Sequence, residues 1–370
     1  MAGTMPADAV SDPRRAGRTR DTGQTRHDFD AGGRADADAG DADRAPDSPT
    51  GVPAAGWLAI VKRSFKAFKH DNVTDFAAAL TYFGILAIFP GALALVSILG
   101  LLGKNQTDKV VANISAIAPG AVTNVLTSII GQMQGKAGAA GIALILSLAV
   151  ALWSASGYVA AFMRASNAIY NVEEGRPIWK TIPTRLLVTV ALLIMLVVSA
   201  IMVVVSGPIA AQLGSAFGIG DTAVTAWSIA KWPVLLIVVS LMFTLLYKAC
   251  PNVKQPGLKW VSLGGVVAVV VWIIASALFA LYVSFSGSYN KTYGSFATVI
   301  VFLVWLWISN IAVLLGAEIN AESQRERAIQ AGLPEDVEPF AELRDTRKLD
   351  EPQQREAAEA ARIRDQKMRD

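Results

Sequence analysis

Residues 81–103 read TYFGILAIFPGALALVSILGLLG, twenty-three positions without one charged side chain. A helix rises about 1.5 Å per residue, so this run covers the roughly 30 Å hydrocarbon core of a bilayer. Five further runs follow at about Gly141–Met163, Leu186–Gly207, Trp232–Tyr247 (extending to Cys250), Val261–Phe285 and Phe296–Ala317. The fourth is the shortest, lying between Lys231 and Lys248, and it spans if both lysines snorkel. Helices of a soluble bundle carry a polar stripe, and these runs carry almost none. Gly, Ala and Ser recur inside them and let helices approach closely in lipid. The fold class expected is an all-α integral membrane protein, a six-transmembrane-helix bundle.

The chain of 370 residues has a formal charge of +3, 53% hydrophobic residues and a mean hydropathy of +0.43, which makes an ordinary soluble enzyme a poor fit. The charge is unevenly spread. Residues 1–50 hold 7 Arg and 10 Asp, residues 321–370 hold 10 basic and 13 acidic side chains, and the 270 between hold 16 basic and 7 acidic. The organisation expected is a disordered tail over 1–55, a membrane domain over 56–325 and a charged, largely disordered cytoplasmic tail over 326–370. Arg14-Arg15 precedes no apolar segment, so it is not read as a twin-arginine signal. Cys250 is the only cysteine, which excludes an intrachain disulfide and a thiolate zinc cluster. With His27 and His70 the only histidines, no metal or cofactor is expected, and no phosphate-binding G-x-x-x-x-G-K-[ST] motif occurs.

Before the first run, Trp57, Leu58, Val61, Phe65 and Phe68 recur at helical spacing, with Lys62, Arg63, Lys66 and Lys69 on the complementary face. This pattern suits an amphipathic helix at the membrane surface, its basic groups against anionic headgroups, or one packed on the protein's own polar face. Thirteen basic residues flank the runs on the side of the termini and five on the other, which places both termini in the cytoplasm. The long outer connection, about 104–140, repeats Val122, Val125, Leu126, Ile129, Ile130 and Met133 after Pro119-Gly120, a pattern for two short helices acting as lid or cap.

Several segments, in order, resemble the YihY/virulence factor BrkB family of bacterial inner-membrane proteins. They are Ala78-Ala79-Leu80-Thr81-Tyr82-Phe83 with Phe89-Pro90, and Met163 through Glu174 followed by Arg176-Pro177 and Trp179. The last are Tyr289, Tyr293-Gly294-Ser295, Trp305 and Gly316-Ala317-Glu318-Ile319-Asn320. The resemblance covers about residues 60–325 and implies a six-helix bundle in the inner membrane, agreeing with the count above. It implies no settled activity. The family has carried a ribonuclease label, against which the residues argue. Between residues 51 and 320 only seven acidic residues occur, and Glu173-Glu174 reads as a charged turn beside Arg164 and Arg176.

Polar groups at membrane depth are the functional candidates. Arg164 and Asn167 close the second run, Glu318 and Asn320 the sixth, and an Arg164–Glu318 pair is expected at one depth. It would act as a gate or headgroup site, or only tie two helix ends. Pro90-Gly91 is a candidate hinge or a static kink. Tyr82, Ser154, Ser156, Tyr293 and Asn310 are candidates for lining a polar cavity, with interhelical hydrogen bonding as the alternative. Trp305 and Trp307 read as packing, and Ser309, Ala312 and Gly316 as a helix-contact stripe. The functional expectation is movement of a hydrophobic or lipid-linked envelope substrate, the alternative a non-transporting scaffold. Nucleic acid is not expected as a partner.

Overall fold

The structure, a computed structural model, describes residues 49–101, 140–204, 220–285 and 295–367. The outer connection with its two expected helices, the N-terminal tail to residue 48 and Tyr293 lie outside the described residues. After a short turn at Pro49–Gly51 come α1 (Ala54–His70), α2 (Val73–Leu101), α3 (Ala140–Ile169), α4 (Ile178–Val204), α5 (Asp221–Ala249), α6 (Leu258–Phe285), α7 (Ser295–Gln330) and α8 (Glu351–Lys367). Among the described residues five helices are long and apolar enough to cross a membrane: Leu148–Ile169, Ile178–Val203, Thr222–Ala249, Lys259–Phe285 and Val299–Gln330. The expected first span lies in α2, whose described side chains form a shorter apolar stretch, Val73–Ile88.

Three helix ends close on a left-handed residue. Asn72 (φ 51°) turns α1 into α2, Asn171 (φ 51°) ends α3, and Gly332 (φ 89°) ends α7. Asn and Gly enter this region at least cost, and the reversal satisfies carbonyls the helix leaves open. After α3 the Val172 N–H donates to the Asn167 carbonyl, and after α7 the Leu333 N–H donates to that of Ala328. Chain reversals of eight residues, 170–177 and 250–257, then gather the starts of α2, α4 and α6 with the ends of α3, α5 and α7 at one end, here called the polar end.

The helices α2 to α7 form a closed ring in which each packs on its sequence neighbour and α7 returns to α2, while α1 packs on α7. The helices α6 and α7 approach closely. A Cβ on Gly316 would stand 2.5 Å from the Tyr247 hydroxyl and 2.7 Å from the Gly264 carbonyl oxygen. Ser309, in the expected contact stripe, accepts a 3.0 Å hydrogen bond from the Trp272 indole. The outer surface is rich in exposed apolar side chains, among them Leu187, Ile194, Leu236, Ile274 and Leu278. Such a surface suits lipid, where helix contacts bury little apolar area.

The C-terminal segment departs from expectation. It folds back on the polar end instead of standing free as a disordered tail from residue 326. Leu333, Phe340, Ala341, Leu349 and Ala360 are buried. Phe340 stacks on Tyr170 at 5.7 Å beneath the Arg325 guanidinium, and Leu343 pairs with Val253 in a short antiparallel bridge. The anchors are single apolar residues at irregular spacing on a polar surface, so no periodic stripe announces them.

Candidate functional site

At the centre of the ring lies a cleft of about 290 Å³ walled by five of its six helices. Gly84 and Ala87 face it from α2, Ala155 and Tyr158 from α3, Thr189 and Leu193 from α4, Met242 and Phe243 from α5, and Leu306 and Asn310 from α7. The lining is apolar except for three side chains. The Tyr158 hydroxyl donates to Asn310 Oδ1 at 2.8 Å, Asn310 Nδ2 donates to Thr81 Oγ1 at 3.0 Å, and the Thr81 hydroxyl donates to the Ala77 carbonyl. Thr189 turns its hydroxyl to the Arg185 carbonyl of its own helix. One triad therefore ties α2, α3 and α7 beside an otherwise apolar space.

One turn nearer the polar end on four of these helices stand Leu80, Phe162, Leu314 and Tyr247, each at most 2% exposed. Phe162 and Tyr247 stack with centroids 6.1 Å apart, and the Tyr247 hydroxyl donates to the Val313 carbonyl at 2.6 Å. These residues plug the cleft at that end. Below the plug the polar connections lock together. Glu174 takes a two-pronged pair from Arg176, which also donates to the carbonyls of Ala249 and Cys250 where α5 ends. Burial works against the Glu174 charge, but hydrogen bonds from Arg176 hold its carboxyl below the ordinary value. Asp345 binds Lys180 and Arg347, which lower it well below the carboxylate range.

The expected site residues scatter over these features. Asn310 lines the cleft, but its amide is committed to Tyr158 and Thr81. Tyr82 is 59% exposed, on the outside of α2, because Thr81 takes the inward position beside it. Ser156 is buried and bonds the Trp153 carbonyl of its own helix, while Ser154 is half-buried and outside the lining. Pro90 falls within α2, its side chain outside the described ones. The expected Arg164–Glu318 pair does not form. Arg164 is exposed, its guanidinium 5.8 Å above the Phe83 ring, whereas Glu318 is wholly buried and neither of its oxygens has a hydrogen-bond partner. Asn167 receives the Asn252 N–H and donates to Glu174. Asn320 clamps α6, accepting from the Gly264 N–H and donating to the Val261 carbonyl. Trp305 and Trp307 are tied to Ser276 and to the Thr74 carbonyl.

On α1 the buried stripe is Gly56, Ile60 and Ser64, while Leu58, Val61 and Phe65 face outward with Lys62, Lys66 and Lys69. Arg63, expected at anionic headgroups, is spent on Glu322 and Glu326 of α7 at 2.6 Å each. Tyr158 and Thr189 were missed as lining residues. Tyr158 was within reach, as the only tyrosine of the second apolar run.

Residues 64–338 match the family described as virulence factor BrkB. The chain belongs to this family. A ribonuclease-like protein, YfkH of Bacillus subtilis, is 31% identical over 71% of this chain and 94% of its own length. A UPF0761 membrane protein of Pseudomonas aeruginosa is 30% identical over 70% of this chain, which spans only 61% of that relative. One from Azotobacter vinelandii is 40% identical over 29% of each chain. No solved structure matches. Membership and five apolar helices make this BrkB-family chain a multi-pass membrane protein in contact with the bilayer.

Proposed function

We propose that the protein crosses the bacterial plasma membrane six times with both termini in the cytoplasm, and moves an amphipathic or lipid-linked envelope substrate along its central cleft. The carrying observation is the cleft itself, apolar, walled by five helices and edged by the Tyr158–Asn310–Thr81 triad. Acyl chains suit such a lining, and the triad offers the polar contact that orients a head. The first 22 positions after Ser295 in α7, Phe296–Ala317, are uncharged and long enough to span, so α7 beyond Ala317 projects from the membrane. In this orientation α1 rests at the cytoplasmic leaflet with Leu58 and Phe65 dipping in and Lys62, Lys66 and Lys69 among anionic headgroups.

A scaffold reading draws on one observation, that the triad is satisfied within the bundle and the plug below it is tight. Ribonuclease action is disfavoured. One relative carries a ribonuclease-like name, but in this chain Glu174 is committed to Arg176.

Purified protein in liposomes, scored for translocation of a fluorescent phospholipid, separates the readings. Wild type is expected to exceed protein-free vesicles about tenfold or more, a change of roughly 1.4 kcal/mol in barrier. Ala155→Trp, which fills the cleft, is expected to return the rate to background, and Asn310→Leu to lower it. A wild-type rate equal to that of empty vesicles, or an Ala155→Trp rate equal to wild type, refutes movement through the cleft.

A further inference from the structure

Glu318 has no electrostatic accommodation of the ordinary kind. It is 0% exposed, and both carboxyl oxygens lack a hydrogen-bond partner. The charges that reach it are acids: Asp71, at hydrogen-bonding reach from the α1–α2 turn, and Glu322, one turn along α7. Glu322 is already held by Arg63 and Arg325. From the α3–α4 connection Tyr170 also feels Glu318, and its hydroxyl is neutral and bonded to Gln255. Among these neighbours no basic side chain faces Glu318.

An ionised carboxylate buried without a partner is strongly disfavoured, because nothing replaces the hydration it loses. Two facing carboxylates have acceptors only and repel, yet one proton between them turns the contact into an O–H···O bond. That missing donor explains why Glu318 has no hydrogen-bond partner although Asp71 is within reach. The other side of Asp71 leads outward. Its Oδ1 lies 3.0 Å from His70 Nδ1, and the side chains of His70 and Asp71 are 83% and 7% exposed. Exposure therefore falls in steps from His70 through Asp71 to Glu318.

We propose that Asp71 and Glu318 form a proton-binding site, sharing one proton between their carboxyls and exchanging it with water through the imidazole of His70. On uptake a protonated His70 gives its Nδ1 proton to Asp71 Oδ1, the pair loses one unit of negative charge, and the neutral imidazole is reprotonated from water. Should the cleft carry substrate, the same site supplies a coupling proton, but the site does not depend on that reading.

Difference infrared spectroscopy of the full chain in nanodiscs tests it without any transport assay. A protonated-carboxyl C=O stretch worth about one group per chain is expected at neutral pH and is lost on alkaline titration. In Glu318→Gln the band is absent while Tm at neutral pH stays at or above wild type, because the amide resembles the protonated acid. In Asp71→Asn the titration midpoint moves to lower pH, since a like charge is gone. In His70→Ala deuteration of the band slows severalfold. Absence of the band in wild type, its persistence in Glu318→Gln, a fall in Tm for that variant, or an unmoved midpoint in Asp71→Asn overturns the site. An unchanged exchange rate in His70→Ala overturns the route.

Discussion

Arg176 is 5% exposed, and its guanidinium serves two needs at once. It neutralises Glu174 and fills the carbonyl ends of α5 at Ala249 and Cys250, where the helix has run out of its own donors. Removing it leaves a half-buried carboxylate without its counter-charge and takes a donor from the Cys250 and Ala249 carbonyls, of which Ala249 keeps a longer bond from Arg344. Arg176→Ala is expected to destabilise by about 3–5 kcal/mol, seen as a large drop in the melting temperature of the detergent-solubilised protein. Arg176→Lys recovers only part, since an ammonium cannot reproduce the fork. The pH sense follows from the depressed Glu174 carboxyl. Its stabilisation is present above the unfolded carboxylate value, about 4.3, and is lost as the pH falls through the lower folded value. Acidification should thus lower the wild-type melting temperature by a component that Glu174→Gln lacks. The charged turn at Glu173-Glu174 was legible because its partner stands two residues away. The carbonyl cap was not, because those acceptors lie 73 residues on.

Among elements, α6 and α7 depend on missing side chains. Gly316→Ala would place a Cβ 2.7 Å from both the Ala268 Cβ and the backbone oxygen of Gly264. A backbone atom cannot rotate away, so the helices must part, at about 1–3 kcal/mol. Gly84→Ala is the contrast, since its Cβ meets Leu306 Cδ2 at 3.6 Å and Tyr158 Cδ2 at 3.9 Å, both ordinary contacts. Melting curves of the two variants should therefore differ, with Gly84→Ala near wild type; equal losses would disprove the close-approach account. The stripe Ser309, Ala312 and Gly316 made a contact face readable from spacing, but not which helix meets it. Helix ends were less readable still. The uncharged run stops at Ala317, yet α7 continues to Gln330, because Glu322, Arg325 and Glu326 favour helix and find partners in Arg63 and Glu338. The C-terminal segment was misread for the opposite reason, its few apolar anchors being too sparse to show a period.

For the whole molecule, the proposal that both termini are cytoplasmic rests on thirteen basic flanking residues against five. The chain carries its own control for testing this. Cys250 is the sole cysteine, is 0% exposed, and burial pushes its thiol up to about 12. Thiols react as thiolates, so the wild-type protein should resist a membrane-impermeant maleimide from either side. Lys62 on α1 and Lys348 beyond α7 are exposed, and a cysteine at either place becomes the one reactive thiol. Lys62→Cys and Lys348→Cys should label in inside-out vesicles and stay unlabelled in right-side-out ones. Labelling of both from the outside would invert the proposed orientation and move the His70–Asp71 opening to the periplasmic face. Labelling from opposite sides would require an odd number of crossings. That result conflicts with the ring itself, because α7 packs on both α1 and α2 and brings residue 330 back to the end from which α2 departs.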